Sequence, residues 1–213
     1  MSGAESAAVV YVHGLWMPGF EGALLRRRLR TQRRFRTYGY GYHSVRDPMP
    51  ALIAGLRQLI ARIDAPQVHL LGHSLGGLVV LRFLQRYAMA QPGRVVFLGT
   101  PCAGSSVARR LARWKVGQKM LGPVACEELL QAGSPRWDQP RELGIIAGTR
   151  PIGLGQLLLT FPDANDGTVA VSETELPGAN DRLCLPVTHS GMLLSARVAQ
   201  EAGSFLEHGR FGA

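Results

Sequence analysis

Two kinds of apolar patterning alternate along the chain. Short unbroken apolar runs at residues 7–12 (A-A-V-V-Y-V), 35–40, 68–73 (V-H-L-L-G-H), 94–98, 143–147 (L-G-I-I-A) and 182–187 read as buried strands. Between them, apolar residues recur every three or four positions, which predicts helices. The first covers 20–30, with Leu24, Leu25 and Leu29 as a stripe against a basic face. Others cover 51–63, 75–87, a segment capped near Ser105 and Ser106 and running to about 114, then 123–131 and 192–206. A Gly/Pro-rich linker is expected between 131 and 140 and a loop at 188–191. Residues 152–161 (I-G-L-G-Q-L-L-L-T-F) fit either a loop lining a mouth or a short hairpin. Strand and helix alternate nearly throughout, which predicts an α/β fold, a mainly parallel sheet with helices on both faces.

At 213 residues and 46% hydrophobic content, the chain suits a single domain. No apolar stretch is long enough to span a bilayer, and residues 1–8 lack the basic head and apolar run of a secretory leader, so a cytoplasmic protein is expected. Cys102, Cys126 and Cys184 are odd in number and irregularly spaced, and are expected to be reduced, mostly buried thiols. The net charge of +9 changes the picture more, because seven arginines fall between Arg26 and Arg36. Such a run favours a solvated helix face, with weak association with an anionic membrane surface as its alternative. Nothing in it resembles a nucleic-acid motif, so no nucleic acid is expected as partner. Oligomeric state is left open.

Chemistry concentrates at residues 68–78, V-H-L-L-G-H-S-L-G-G-L. A buried strand runs into G-x-S-x-G (Gly72, His73, Ser74, Leu75, Gly76), and a helix starts at once. That arrangement presents Ser74 on a sharp turn at a helix N-terminus, where unpaired N–H groups favour developing negative charge. A serine hydroxyl needs a base to take its proton. Of six histidines, His13 and His73 suit structural roles, His43 lies in a turn, His69 inside a strand and His208 near the C-terminus. His189, in the loop after the last strand, is the remaining candidate. The base needs a carboxylate partner, and Asp163, Asp166 and Asp181 are placed to supply it.

G-H-S-L-G-G after a Val/Leu strand, with V-H-G at 12–14 and T-P-C-A-G-S at 100–105, resembles the α/β-hydrolase superfamily. More narrowly, the chain resembles small bacterial lipases and esterases with little or no cap domain. The resemblance implies a reduced sheet of about six strands and a single hydrolase domain over 1–213, with a small helical rim at about 104–140. It implies the order Ser, Asp, His, and D-G-T-V at 166–169 resembles the acid loop, which favours Asp166. It also implies backbone oxyanion donors at Leu15 and Leu75. Trp16, Met17, Phe20 and the 157–161 run are candidates for the acyl-binding surface, or equally for ordinary core.

The expected reaction is hydrolysis of small-molecule or lipid carboxylic esters through an acyl-enzyme on Ser74, with no metal and no cofactor. Alternatives on the same residues are a thioesterase, an acyltransferase or an amidase. A binding module that uses the fold without catalysis is the rival of another class.

Overall fold

Side-chain alternation decides which face each strand presents. The computed structural model describes residues 7–130, 135–153, 155–161 and 163–212. In it, β1 (Ala8–Val12), β2 (Arg36–Tyr40), β3 (Val68–His73), β4 (Val95–Leu98), β5 (Leu143–Gly148) and β6 (Asp181–Leu185) form one parallel sheet in the order β2-β1-β3-β4-β5-β6. Val10, Leu70, Phe97 and Ile145 point to the layer holding α2 (Met49–Ala61), α3 (Leu75–Arg86) and α5 (Lys115–Leu129). Their neighbours Val9, Leu71, Val96 and Ile146 point the other way, to α1 (Ala23–Arg33) and α7 (Ala196–His208). The inner strands β1, β3, β4 and β5 are buried along their whole length, as a parallel sheet with helices on both faces requires.

The connections position the site. From β1 the chain steps outward to β2, then returns across β1 to β3 and proceeds the other way. This reversal makes β1 and β3 neighbours at the switch point, where the loops leaving their carboxyl ends diverge and open a crevice. The register pairs Val12 with Gly72, so the loop after β1 emerges beside the turn after β3.

Several boundaries differ from those the patterning predicts. α1 starts at Ala23 rather than at 20 and continues to Arg33, because the turn before it is held by Glu21, whose carboxylate accepts from the Gly19 amide and the Tyr11 hydroxyl. The helix expected at 123 does begin there, with Pro123 in its first turn, but Gly122 (φ 76°) joins it to a further helical piece from Lys115 that the patterning does not predict, and the two together are α5. α4 (Ser106–Leu111), capped by the Ser105 hydroxyl on the Ala108 amide, ends before Trp114. Residues 152–161 are neither plain loop nor hairpin but irregular chain with one helical turn, α6 (Gly155–Leu158). The 188–191 loop passes into a 3-10 turn, Ser190–Leu194, and the last helix starts only at Ala196 with Ser195 as cap.

Among the cysteines only Cys102 is buried. Cys184 is exposed because β6 is an edge strand and its side chain alternates outward. No helix of the described residues is long and apolar enough to cross a membrane. The expectations for the leader region at 1–6 and for part of the linker, 131–134, lie outside the described residues.

Candidate active site

Ser74 stands at the junction of β3 and α3 with φ 54° and ψ −126°, a conformation that a residue with a side chain adopts only under constraint. Its amide donates to the Leu98 carbonyl at 2.9 Å, which fixes the turn against β4. Two glycines permit the turn. A Cβ at Gly72 would run into the backbone of Gly77, and one at Gly76 into the carbonyls of Val12 and His13. Strand, helix and the loop after β1 therefore meet at backbone distance around the serine.

The loop after β1 is held by His13. Its Nδ1–H donates to the Gly14 carbonyl at 2.8 Å, its Nε2 accepts from the Tyr42 amide at 3.3 Å, and its ring stacks on Tyr42 at 4.0 Å. Burial pushes its pKa down, which keeps the imidazole neutral and both bonds intact. Gly14 lies against Ser74: a Cβ there would sit 3.0 Å from the Ser74 Cβ. Beyond it, Trp16 takes φ 59°, pinned by its amide to the Ser44 hydroxyl at 3.0 Å and by its indole N–H to the Met120 carbonyl at 2.7 Å. Between these anchors, the amide of Leu15 has no hydrogen-bond partner among the described residues, and the Leu75 amide opens α3 without one.

His189 and Asp166 form a buried pair. Nδ1 of His189 lies 2.6 Å from Oδ2 of Asp166, while the His189 amide donates to the Asp166 carbonyl at 2.9 Å. The other carboxylate oxygen accepts from the amides of Thr168 and Val169 at 2.9 and 2.7 Å. Three N–H groups converge on one carboxylate, which fixes its orientation. With Oδ2 facing Nδ1, that nitrogen carries the ring proton and Nε2 is left with its lone pair.

The alternatives to Asp166 sit elsewhere. Asp163 is exposed. Asp181 opens β6 at the amino end of the sheet, where it accepts from the Arg182 and Phe211 amides. His43 is exposed beside Asp47, and His208 lies beside Glu207 at the end of α7.

Ser74 and His189 line one cavity of about 520 Å³ at the carboxyl edge of the sheet. Its walls are mostly apolar: Leu15, Trp16 and Met17 from the loop after β1, Ala108 and Leu111 from α4, Met120 and Leu121 from α5, and Ile152, Leu157 and Leu158 from the segment after β5. Phe20 is a correction to the expected acyl surface. Its side chain is 74% exposed and outside this lining, because the turn before α1 carries it away from the crevice. Phe161, from the 157–161 run, is instead buried against Val107 and Ala170. A second cavity of about 480 Å³ lies at the amino end of the sheet, beside Arg94 and Arg141. Both guanidinium groups are occupied there, Arg94 by Glu142 and Arg141 by the carbonyls of Val68 and Gly93.

Three contributors carry no local sequence signal. Gly99, at the end of β4 with φ 54°, leaves the space that the pair fills: a Cβ there would lie 3.1 Å from both Asp166 Oδ2 and His189 Nδ1. Glu173 accepts from the Ala170 amide at 3.0 Å and the Ser106 amide at 2.5 Å, so it ties the acid turn to the start of α4. Ser44 anchors Trp16. A G-T-P turn at 99–101 is the one hint of the first of these.

No group of three or more His, Cys, Asp or Glu side chains among the described residues is arranged to hold a metal ion. The Cys102 thiol is pushed up to about 12 by burial, which leaves it unreactive near neutral pH.

Solved structures with the same architecture include a pyrethroid hydrolase, at TM-score 0.64 and 14% identity over 96% of this chain and 99% of that one. A lipase-esterase related protein from Clostridium acetobutylicum matches at TM-score 0.62 and 13% identity, covering 96% of this chain and 95% of the other. Polyneuridine aldehyde esterase matches at TM-score 0.61 and 14% identity, covering 95% and 100%. At these identities the likeness is one of fold. No curated protein sequence matches significantly. The sequence of the alpha/beta hydrolase family matches residues 9–201, from β1 into α7, and so takes in the serine turn, the acid turn and the histidine turn together. With that span and this sheet order, the chain belongs to the alpha/beta hydrolase family.

Proposed function

We propose that the protein is a serine hydrolase that cleaves carboxylic esters, the chain acting as one hydrolase domain with residues 104–140 as a small helical rim. The observation that carries this reading is the buried Asp166–His189 pair at 2.6 Å, whose histidine lines an apolar cavity together with a serine held on a strained turn. His189 Nε2 takes the proton of the Ser74 hydroxyl as its oxygen attacks the acyl carbon. The oxyanion is received by the amides of Leu15 and Leu75, each worth about 3 kcal/mol of transition-state stabilisation. Collapse expels the alcohol with the proton from Nε2. A water deprotonated by the same nitrogen then attacks the acyl-enzyme and releases the acid, regenerating Ser74.

The cavity volume of about 520 Å³ and its apolar walls favour a short to medium acyl chain. Trp16, Met17 and Leu157 are proposed to contact it, with the walls already formed, so no jump in rate is expected at a substrate's micellar threshold.

The test is a fluorophosphonate followed by peptide mass spectrometry, with p-nitrophenyl esters, acyl thioesters and amides assayed side by side. The expected outcome is a single adduct on Ser74, absent from Ser74→Ala, and ester turnover ahead of the other two classes. Faster thioester or amide turnover would replace the ester assignment, and a biological role that survives Ser74→Ala would favour a binding module.

A further inference from the structure

The large apolar side chains exposed among the described residues all sit in the connections after β1, β4, β5 and β6. Half of them line the cavity beside Ser74. Trp114 and Val116, 50% and 68% exposed, do not, so substrate contact does not account for them. They stand where α5 begins, with Trp114 as the N-cap residue. On the exposed side of this helix Val116 and Met120 are four residues apart, and so are Lys115 and Lys119, which gives an apolar stripe beside a cationic one.

The exposed start of α5 is cationic, with Arg113, Lys115 and Lys119 there, while the acids of this helix, Glu127 and Glu128, stand in its last turn. Nearby, Arg109 pairs with Glu173, and Arg110 reaches the Leu158 carbonyl and lies over the Trp114 ring at 5.3 Å. The two lysines are the only ones in a chain that otherwise uses arginine, and neither has an ion pair among the described residues. Trp, Val and Met at the tip of a helix, flanked by long flexible cations, suit a plane with an apolar interior and a negative surface. The arginine run at 26–36, which passes from α1 into β2, is built differently. Arg33 pairs with Glu207, Arg28 reaches the Leu194 carbonyl, and Arg36 reaches the Tyr38 hydroxyl. The exposed remainder, Arg27, Arg30 and Arg34, has no exposed large apolar side chain beside it on the helix.

We propose that the start of α5, with Trp114, Lys115, Val116 and Lys119, docks on an anionic lipid bilayer and sets the cavity mouth against it. This deepens the hydrolase reading, on which it rests for its purpose, by naming lipid-borne esters as the substrates within reach. The docking itself requires no turnover.

The experiment uses the 213-residue chain carrying Ser74→Ala and co-sedimentation with vesicles of phosphatidylcholine alone or mixed with phosphatidylglycerol. Binding is expected to the mixed vesicles at low salt and to fall as salt rises. K115E/K119E and V116D are expected to weaken it at least about tenfold, while R27E/R30E/R34E stays within about twofold. On the Ser74 background, K115E/K119E should leave turnover of a soluble ester unchanged, so failure of the hydrolase reading shows separately from failure to dock. Absence of binding at low salt, loss of binding in the α1 variant instead, or a dimer in sedimentation that V116D dissociates would overturn the proposal.

Discussion

The imidazole of His73 donates its Nε2–H to the backbone carbonyl of His189 at 3.2 Å, with the two rings 4.8 Å apart. This bond ties the end of β3 to the turn that carries His189, across the sheet face opposite α3. Burial and the neighbouring His189 push the His73 pKa down to about 3, so it stays neutral and adds no charge next to His189. Its Nδ1 is buried with no hydrogen-bond partner among the described residues, a cost the fold carries.

Replacing His73 separates positioning from stability. His73→Phe removes the donor and also the orphaned acceptor, so thermal stability should change little while kcat on a soluble ester falls about tenfold at near-constant KM. His73→Gln, which can restore an N–H at the Nε2 position, should recover part of the loss. Equal activity in the Phe variant would show that the bond does not position His189.

Asp166→Asn keeps an oxygen for the Thr168 and Val169 amides but loses the charge opposite Nδ1. The acid turn should therefore hold, and kcat should drop by about 10³ to 10⁴ because the ring loses its fixed tautomer. Circular dichroism together with ester kinetics checks both halves. A drop below tenfold would point to another carboxylate.

The left-handed backbone at Ser74 stores strain that a glycine would release. Ser74→Gly should raise stability by about 1 kcal/mol, the strain relief of about 1–3 kcal/mol exceeding the glycine entropy cost of about 0.5–1 kcal/mol. The same variant should be inactive. Urea denaturation of the two proteins decides it, and a lower midpoint in the glycine variant would contradict the strain.

Acid should destabilise the fold through its buried imidazoles. His69 is buried, its Nδ1 accepts from the Arg94 amide, and burial with Arg94 and Arg141 nearby lowers its pKa to about 4. The folded state therefore stays unprotonated there between about 6.5 and about 4, while the unfolded chain takes up a proton. The contribution is complete above about 6.5 and is lost as pH falls towards about 4, at a slope of about 1.4 kcal/mol per pH unit for this one residue. His73 adds in the same direction over a wider window, down to about 3. Urea midpoints measured from pH 7 to pH 4.5 should fall steadily, and His69→Gln should flatten the slope; an unchanged midpoint would refute the assignment.

Strands were the most legible elements, because a buried parallel strand must be apolar on both faces and such runs as 7–12 and 143–147 leave little choice. Helix ends were less so. The break at Gly122 and the start of α5 at Lys115 depend on Gly117 and Gly122 lying against the backbone at Leu111 and Val45, contacts that no local pattern announces. Phe20 misled for a related reason. An aromatic residue near a presumed active-site loop is apolar whichever way it faces, and the hydrogen bond from the Gly19 amide to Glu21 decides that this one faces out.

What the sequence by itself determined is the alternation of strand and helix, hence the parallel α/β sheet, and the glycine-flanked serine turn, since the clash with Gly77 that Gly72 avoids is a local property. Only the tertiary structure decided which aspartate meets His189, that Gly99 leaves room for them, that His73 braces the pair, and where exposed apolar residues gather. Those outcomes depend on segments more than twenty residues apart being brought to one edge of the sheet by its strand order, and neither spacing nor composition encodes that distance.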